Sequence, residues 1–180
     1  MNIAVFASGN GSNFQVLAEH FPKEIKFVFS DHHQAYVLER AEKLNIPSFH
    51  FELKEFENKV AYEIEIVRIL EKNEIELVLL AGYMKIITPT LLNGFSGKIV
   101  NIHPSFLPNF AGSPHAIEES HAAQRGLGVT VHVVDEGVDT GEVIAQRKLP
   151  YLPDLADYER SVHDLEYVLY PQVVRELIEK

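Results

Sequence analysis

Asn101, His103 and Asp139 are side chains of the types needed to pass a carbonyl group from one amine to another. Asn101 and His103 stand two residues apart in Asn101-Ile102-His103-Pro104, where an apolar strand runs out. Positions i and i+2 of an extended backbone point to the same side, and strand ends of open α/β sheets are where ligands bind. A side-chain amide donates to the oxyanion that forms when an amine attacks a carbonyl carbon. A protonated imidazole stabilises the same charge and supplies the proton that the departing amine needs. A nearby carboxylate raises a histidine pKa and keeps the imidazolium available near neutral pH. Asp139, in Asp135-Glu136-Gly137-Val138-Asp139-Thr140-Gly141, fills that role if its loop folds over the strand end. Acyl or formyl transfer by direct amine attack requires no covalent nucleophile. Ser105, the hydroxyl beside His103, lacks the G-x-S-x-G setting of a nucleophile elbow. The same residues also fit plainer roles, as a hydrogen-bonded histidine at a strand end and a hairpin turn.

A second candidate site is the turn Ser8-Gly9-Asn10-Gly11-Ser12-Asn13, between an apolar run and a segment of helical periodicity. Glycines let backbone N–H groups approach a ligand, and a helix N-terminus favours an anion, so phosphate is the natural guest. Ser12 or Asn13 is expected to cap the helix or to donate to that phosphate. The dinucleotide fingerprint is incomplete, because Phe14 stands at its third glycine position, and no GK[ST] follows. A simple strand-to-helix turn is the alternative.

The elements that must position these residues read as strands alternating with helices. Strands are expected at Ile3 to Ala7, Ile25 to Phe29, Ser48 to Phe51, Ile75 to Ala81 and Lys98 to Ile102. Helices are expected after the glycine turn (Phe14, Leu17, Ala18, Phe21) and at Tyr36 to Leu44, Phe56 to Lys72, Pro89 to Leu92 and His115 to Gln124. In the third of these, Val60, Ile64, Val67 and Leu70 mark the apolar face, with charges opposite. Gly128 to Asp135, with Val129, Val131 and Val133 on one side, and Glu142 to Leu149 form a pair that the short Asp-Gly link makes antiparallel. A long helix interrupted at Tyr170-Pro171 closes the chain. The fold expected is α/β: a Rossmann-like, mostly parallel sheet flanked by helices, with an antiparallel C-terminal portion.

Composition narrows the classes. At 180 residues a single domain, 1–180, is the default. The chain has no cysteine, which excludes disulfides and thiolate chemistry and fits a reducing compartment. Its formal charge of -10 weighs against a nonspecific nucleic-acid surface. No apolar run approaches the roughly 20 residues of a membrane span, and Met1-Asn2-Ile3-Ala4-Val5-Phe6 lacks the basic flank of a signal peptide. A cytoplasmic location is expected. Nine histidines are present, but none in an H-E-x-x-H spacing, so no metal is expected.

Taken together, Ser8-Gly9-Asn10-Gly11-Ser12-Asn13, Leu80-Ala81-Gly82-Tyr83-Met84, Asn101-Ile102-His103-Pro104-Ser105 with Leu107-Pro108, and Val134 to Gly141 resemble the phosphoribosylglycinamide formyltransferase family in order and separation. The resemblance runs along nearly the whole chain and implies transfer of a formyl group from 10-formyltetrahydrofolate to the amine of 5'-phosphoribosylglycinamide. It implies that Asn101, His103 and Asp139 are catalytic. Gly11, Ser12 and Asn13 match the loop that holds the ribonucleotide phosphate, and His163 and Glu166 a late helix at the ribose end. Lys59, Met84, Lys85, Ile86, Ile87, Asn101 and the stretch Asp135, Glu136, Gly137, Val138 and Asp139 match folate contacts. Two departures stand out: Ala111 replaces a proline in Phe110-Ala111-Gly112-Ser113-Pro114-His115-Ala116, and Lys85 stands where arginine is common. Related readings are a formyltetrahydrofolate deformylase, a methionyl-tRNA formyltransferase, a sugar-nucleotide formyltransferase and, from another class, a noncatalytic nucleotide-binding module. The oligomeric state is open, with a homodimer as one candidate.

Overall fold

A computed structural model describes residues 1–180 and divides them into two compact units, Met1–Val100 and Asn101–Lys180.

The first unit alternates strand and helix: β1 (Ile3–Phe6), α1 (Ser12–His20), β2 (Ile25–Ser30), α2 (Tyr36–Lys43), β3 (Ser48–His50), a 3₁₀ turn (Leu53–Glu55), α3 (Lys59–Lys72), β4 (Leu77–Leu80), α4 (Pro89–Gly94) and the start of β5 (Lys98–His103). The strand order is β3-β2-β1-β4, every pair parallel. Each residue of β1 and of β4 is buried, so both faces of these strands are covered. That accounts for their apolar runs without alternation. β2 adds an aromatic layer, in which Phe29 meets Phe6 edge-on at 5.1 Å between ring centres.

Helix α3 departs from expectation in both start and face. It begins at Lys59, where the Asn58 side chain accepts from the Ala61 amide as an N-cap. The buried face is Tyr62, Glu63, Ile66, Ile69 and Leu70, while Val60 and Ile64 are exposed. Apolar residues occur all round this helix, so periodicity alone did not single out a face. Glu63 is buried because it serves α4. Its carboxylate accepts from the amides of Thr88 and Leu91, each at 3.1 Å, and from the Thr88 hydroxyl. These amides lie at the N-terminal end of α4, where no local side chain caps the helix; the Leu91 amide also donates to the Thr88 carbonyl.

The second unit contains the end of β5, α5 (Ala116–Ala123), β6 (Gly128–Val133), β7 (Val143–Lys148) and α6 (Leu155–Glu179). β6 and β7 pair antiparallel, as expected, with Val129 opposite Arg147 and Val131 opposite Ala145. The register shifts between Val131 and His132, a bulge of the kind that re-aims side chains beside functional sites. Val129 and Val131 are buried, but so are Thr130 and His132 on the opposite face of β6. α6 runs unbroken through Pro171. The expected interruption does not occur, because Tyr170, Pro171, Val173, Val174 and Leu177 are all buried and hold the helix on both sides of the missing N–H. The fold is thus α/β, mostly parallel, with helices flanking the strands and an antiparallel C-terminal pair. No helix is long and apolar enough to cross a membrane.

Candidate active site

The second unit brings Asn101, His103 and Asp139 together. Asn101 and His103 lie within β5, which extends to His103, so the i, i+2 relationship holds on a true strand. His103 is buried, and its two ring nitrogens face two oxygens: Nδ1 lies 3.4 Å from Asp139 Oδ2, and Nε2 lies 3.1 Å from the Phe110 carbonyl. Both oxygens only accept, and of the two contacts the Phe110 one has hydrogen-bond geometry, so the proton of the neutral ring is assigned to Nε2 and a second proton goes to Nδ1, facing Asp139.

Asp139 is held from several sides. Its Oδ2 accepts from the Gly112 amide at 2.6 Å, and its Oδ1 lies 3.4 Å from His132 Nε2 and 3.5 Å from Asn101 Nδ2. The residue adopts φ 56°, a left-handed conformation that aspartate tolerates better than most. The Asp135 carboxylate accepts from the Gly137 amide and the Thr140 hydroxyl, shaping the turn that delivers Asp139.

Burial pushes the His103 pKa below the ordinary histidine value, and Asp139 and the Phe110 carbonyl oppose this without overcoming it. The expectation that Asp139 keeps His103 protonated is therefore corrected. The carboxylate is present, but removing the ring from water costs the charged form more than the pair returns. Asp139 itself is lowered. Burial raises it, but the hydrogen bond with His132, the charge of His103 and the Gly112 amide together outweigh that effect.

Sequence reasoning missed His132. It is buried on β6, with Nε2 3.3 Å from Asn101 Nδ2 and Nδ1 3.1 Å from the Val133 carbonyl. The available signal was the polar half of the β6 alternation, Thr130 and His132, opposite the valines.

His163 and Glu166 occupy one face of α6, with His163 Nδ1 2.8 Å from Glu166 Oε1. Glu166 is buried rather than on the solvent face. Its hydrogen bond is the main influence that raises the His163 pKa above the usual value.

In the first unit, Gly11 occupies the N-cap position of α1 at φ 80°, and no side chain caps the helix. Ser12 is the first helical residue, so the capping role expected of Ser12 or Asn13 is not observed. A Cβ at Gly11 would overlap the side chain of Val37 on α2. Arg40 holds the turn from outside, donating from Nε to the Asn10 carbonyl at 2.7 Å and from Nη2 to Asn10 Oδ1 at 2.6 Å.

The same turn is tied to the segment after β4. The Met84 amide donates to Ser8 Oγ at 2.9 Å, and the Ser8 amide donates to the Gly82 carbonyl at 3.0 Å. Next to Met84, the Tyr83 hydroxyl meets that of Tyr62 at 2.6 Å, and Lys85 Nζ donates to the buried Asp31 at 2.6 Å. Met84 and Ile86 are exposed, whereas Ile87 is buried. Lys85 is thus engaged in an ion pair inside its own unit. Lys59 opens α3 and is partly exposed, and Val138 at the turn of the second unit is exposed. No three acidic or histidine side chains are grouped so as to hold a metal ion.

An amide, an imidazole and a carboxylate are gathered at a strand end, and residues 1–174 match the formyl transferase family model. A phosphoribosylglycinamide formyltransferase of Bacillus subtilis is 45% identical over 182 residues, covering 97% of this chain and 93% of that protein. The crystal structure of phosphoribosylglycinamide formyltransferase from Streptococcus pneumoniae TIGR4 superposes with a TM-score of 0.94 at 57% identity, covering 98% of each chain. That from Bacillus halodurans gives 0.93 at 40% identity, covering all of this chain and 96% of the other. The chain belongs to the phosphoribosylglycinamide formyltransferase family.

Proposed function

We propose that this chain transfers a formyl group from 10-formyltetrahydrofolate to the amine of 5'-phosphoribosylglycinamide, a step of purine biosynthesis, with residues 1–180 acting as one catalytic domain. The observation that carries the reading is the buried cluster in which His103 faces Asp139 and the Phe110 carbonyl, with Asn101 alongside.

The substrate amine attacks the formyl carbon and its carbonyl electrons move to oxygen. Asn101 donates to that oxyanion. His103 starts neutral and takes the proton from the attacking nitrogen at Nδ1. The imidazolium then forms next to Asp139, which was held ionised for it. The oxyanion's electron pair re-forms the carbonyl as the carbon–nitrogen bond to the folate breaks, the electrons of that bond go to the folate nitrogen, and His103 returns the proton there. A histidine with a lowered pKa suits this shuttle, because it must accept before it donates. His132 is a positioning residue for Asn101 and Asp139.

Gly11, Ser12 and Asn13 hold the phosphate at the start of α1, where the free amides and helix dipole favour an anion. His163 and Glu166 meet the ribose. Met84, Lys85, Ile86 and Ile87 contact the folate, and the exposure of Met84 and Ile86 supports this, since such side chains ordinarily go to the core. Asp135, Glu136, Gly137, Val138 and Asp139 form the loop over the pterin, and Lys59 meets the folate tail. The lack of cysteine fits the cytoplasm.

The test is an assay of the purified chain with 10-formyltetrahydrofolate, offering the ribonucleotide amine or water as acceptor. Formyl transfer to the amine is expected. Release of formate alone, independent of the amine, would instead mark a deformylase.

A further inference from the structure

We infer that Arg125 is a positioning residue for His103, acting through Phe110. Phe110 adopts φ 58°, a left-handed conformation that a bulky aromatic residue rarely takes. In that conformation its carbonyl receives the His103 Nε2 proton. Something must hold the strained residue in place, and the α5–β6 turn does so from two sides.

The Arg125 guanidinium lies over the Phe110 ring at 4.9 Å, and its Nη1 donates to Asn109 Oδ1 at 3.2 Å. A cation over a ring face is attracted by its quadrupole, and the planar guanidinium suits that stacking. The neighbouring Gly126, at φ 66°, packs against Asn109 and Phe110 so closely that a Cβ there would overlap Asn109. Beneath, Ser105 Oγ donates to the Asn109 carbonyl at 2.6 Å. The link runs from an exposed surface arginine, through the ring of a residue with a left-handed backbone, to the hydrogen bond at His103 Nε2.

The inference rests on the role proposed above for His103, so its test reads the imidazole directly as well as the reaction. The groups that face His103 are Asp139 on its loop, His132 on β6, Phe110 and, at longer range, Glu166 on α6. Arg125→Ala removes none of these four groups and alters only the support of Phe110. Loosening the Phe110 carbonyl, one of the influences that raise the His103 pKa, should shift the NMR titration of His103 to lower pH. It should also cut kcat by roughly three- to tenfold with KM nearly unchanged, less than the roughly 100-fold that a full ångström of misplacement can cost. Arg125→Lys should recover part of the loss, since it keeps the cation but not the fork. Phe110→Leu should reproduce the His103 shift, and the double variant Arg125→Ala/Phe110→Leu should add little to either single change.

An unchanged His103 titration in Arg125→Ala, or fully additive effects in the double variant, would overturn the inference. If the unaltered chain transfers no formyl group, the proposed function fails, while the His103 titration still decides whether Arg125 acts on it.

Discussion

His103 Nδ1 lies 3.4 Å from Asp139 Oδ2, with both side chains nearly withdrawn from water. In water such a pair would simply raise the histidine pKa. Here burial works the other way and wins, so the imidazole rests neutral beside an ionised carboxylate.

Replacing either partner should be costly to catalysis. His103→Ala and Asp139→Ala are each expected to lower turnover by at least about 100-fold, the scale of lost acid–base and electrostatic help. Steady-state kinetics with both substrates saturating measures this. Near-normal turnover in either variant would remove the proposed mechanism.

The pH dependence follows from the same pair. If neutral His103 accepts the proton, kcat should fall as pH drops through its pKa, which lies below the usual histidine value of about 6.5. Asp139→Asn removes an influence that raises this pKa, so the acid limb of the remaining activity should move to still lower pH. A limb that moves upward would contradict the assignment.

Stability should carry a related signature. His103 has a lower pKa folded than unfolded, so the unfolded chain binds more protons between the two values and stability rises with pH there. Its contribution is full above about pH 6.5 and is lost as pH falls through the folded value. Asp139 acts in the same sense at lower pH, its contribution present above about 3.9 and lost below. Urea midpoints measured across pH should show a shallower slope just below pH 6.5 in His103→Ala than in the unaltered chain.

Glu63 should prove a stability residue without catalytic effect. Buried at the start of α4, it takes its acceptor away from the Thr88 amide and hydroxyl when removed. Glu63→Ala is expected to cost about 2–4 kcal/mol, read from chemical denaturation. A loss below about 0.5 kcal/mol would mean that water replaces it freely.

At the glycine turn, packing and binding can be separated. Gly11→Ala should lower the melting temperature, because its Cβ meets Val37 and its backbone is left-handed. A ribonucleotide affinity measured on that variant would therefore mix folding with binding. Ser12→Ala and Asn13→Ala carry no such penalty, and each should weaken ribonucleotide binding more than folate binding by calorimetry.

The sequence by itself determined the strand-and-helix alternation, the antiparallel β6–β7 pair, and the positions of Asn101, His103 and Asp139 at a strand end and in a turn. These are local properties: apolar runs, glycine turns and the period of two along a strand. Tertiary structure decided the rest. It chose Tyr62, Ile66 and Leu70 over Val60 and Ile64 as the buried side of α3, because a helix with apolar residues on more than one side takes its orientation from what it packs against. It carried α6 through Pro171, placed His132 against Asn101 and Asp139, and brought the Phe110 carbonyl to His103. It also set the sign of the His103 shift, because desolvation depends on everything that surrounds the ring, and residue spacing along a chain does not record that.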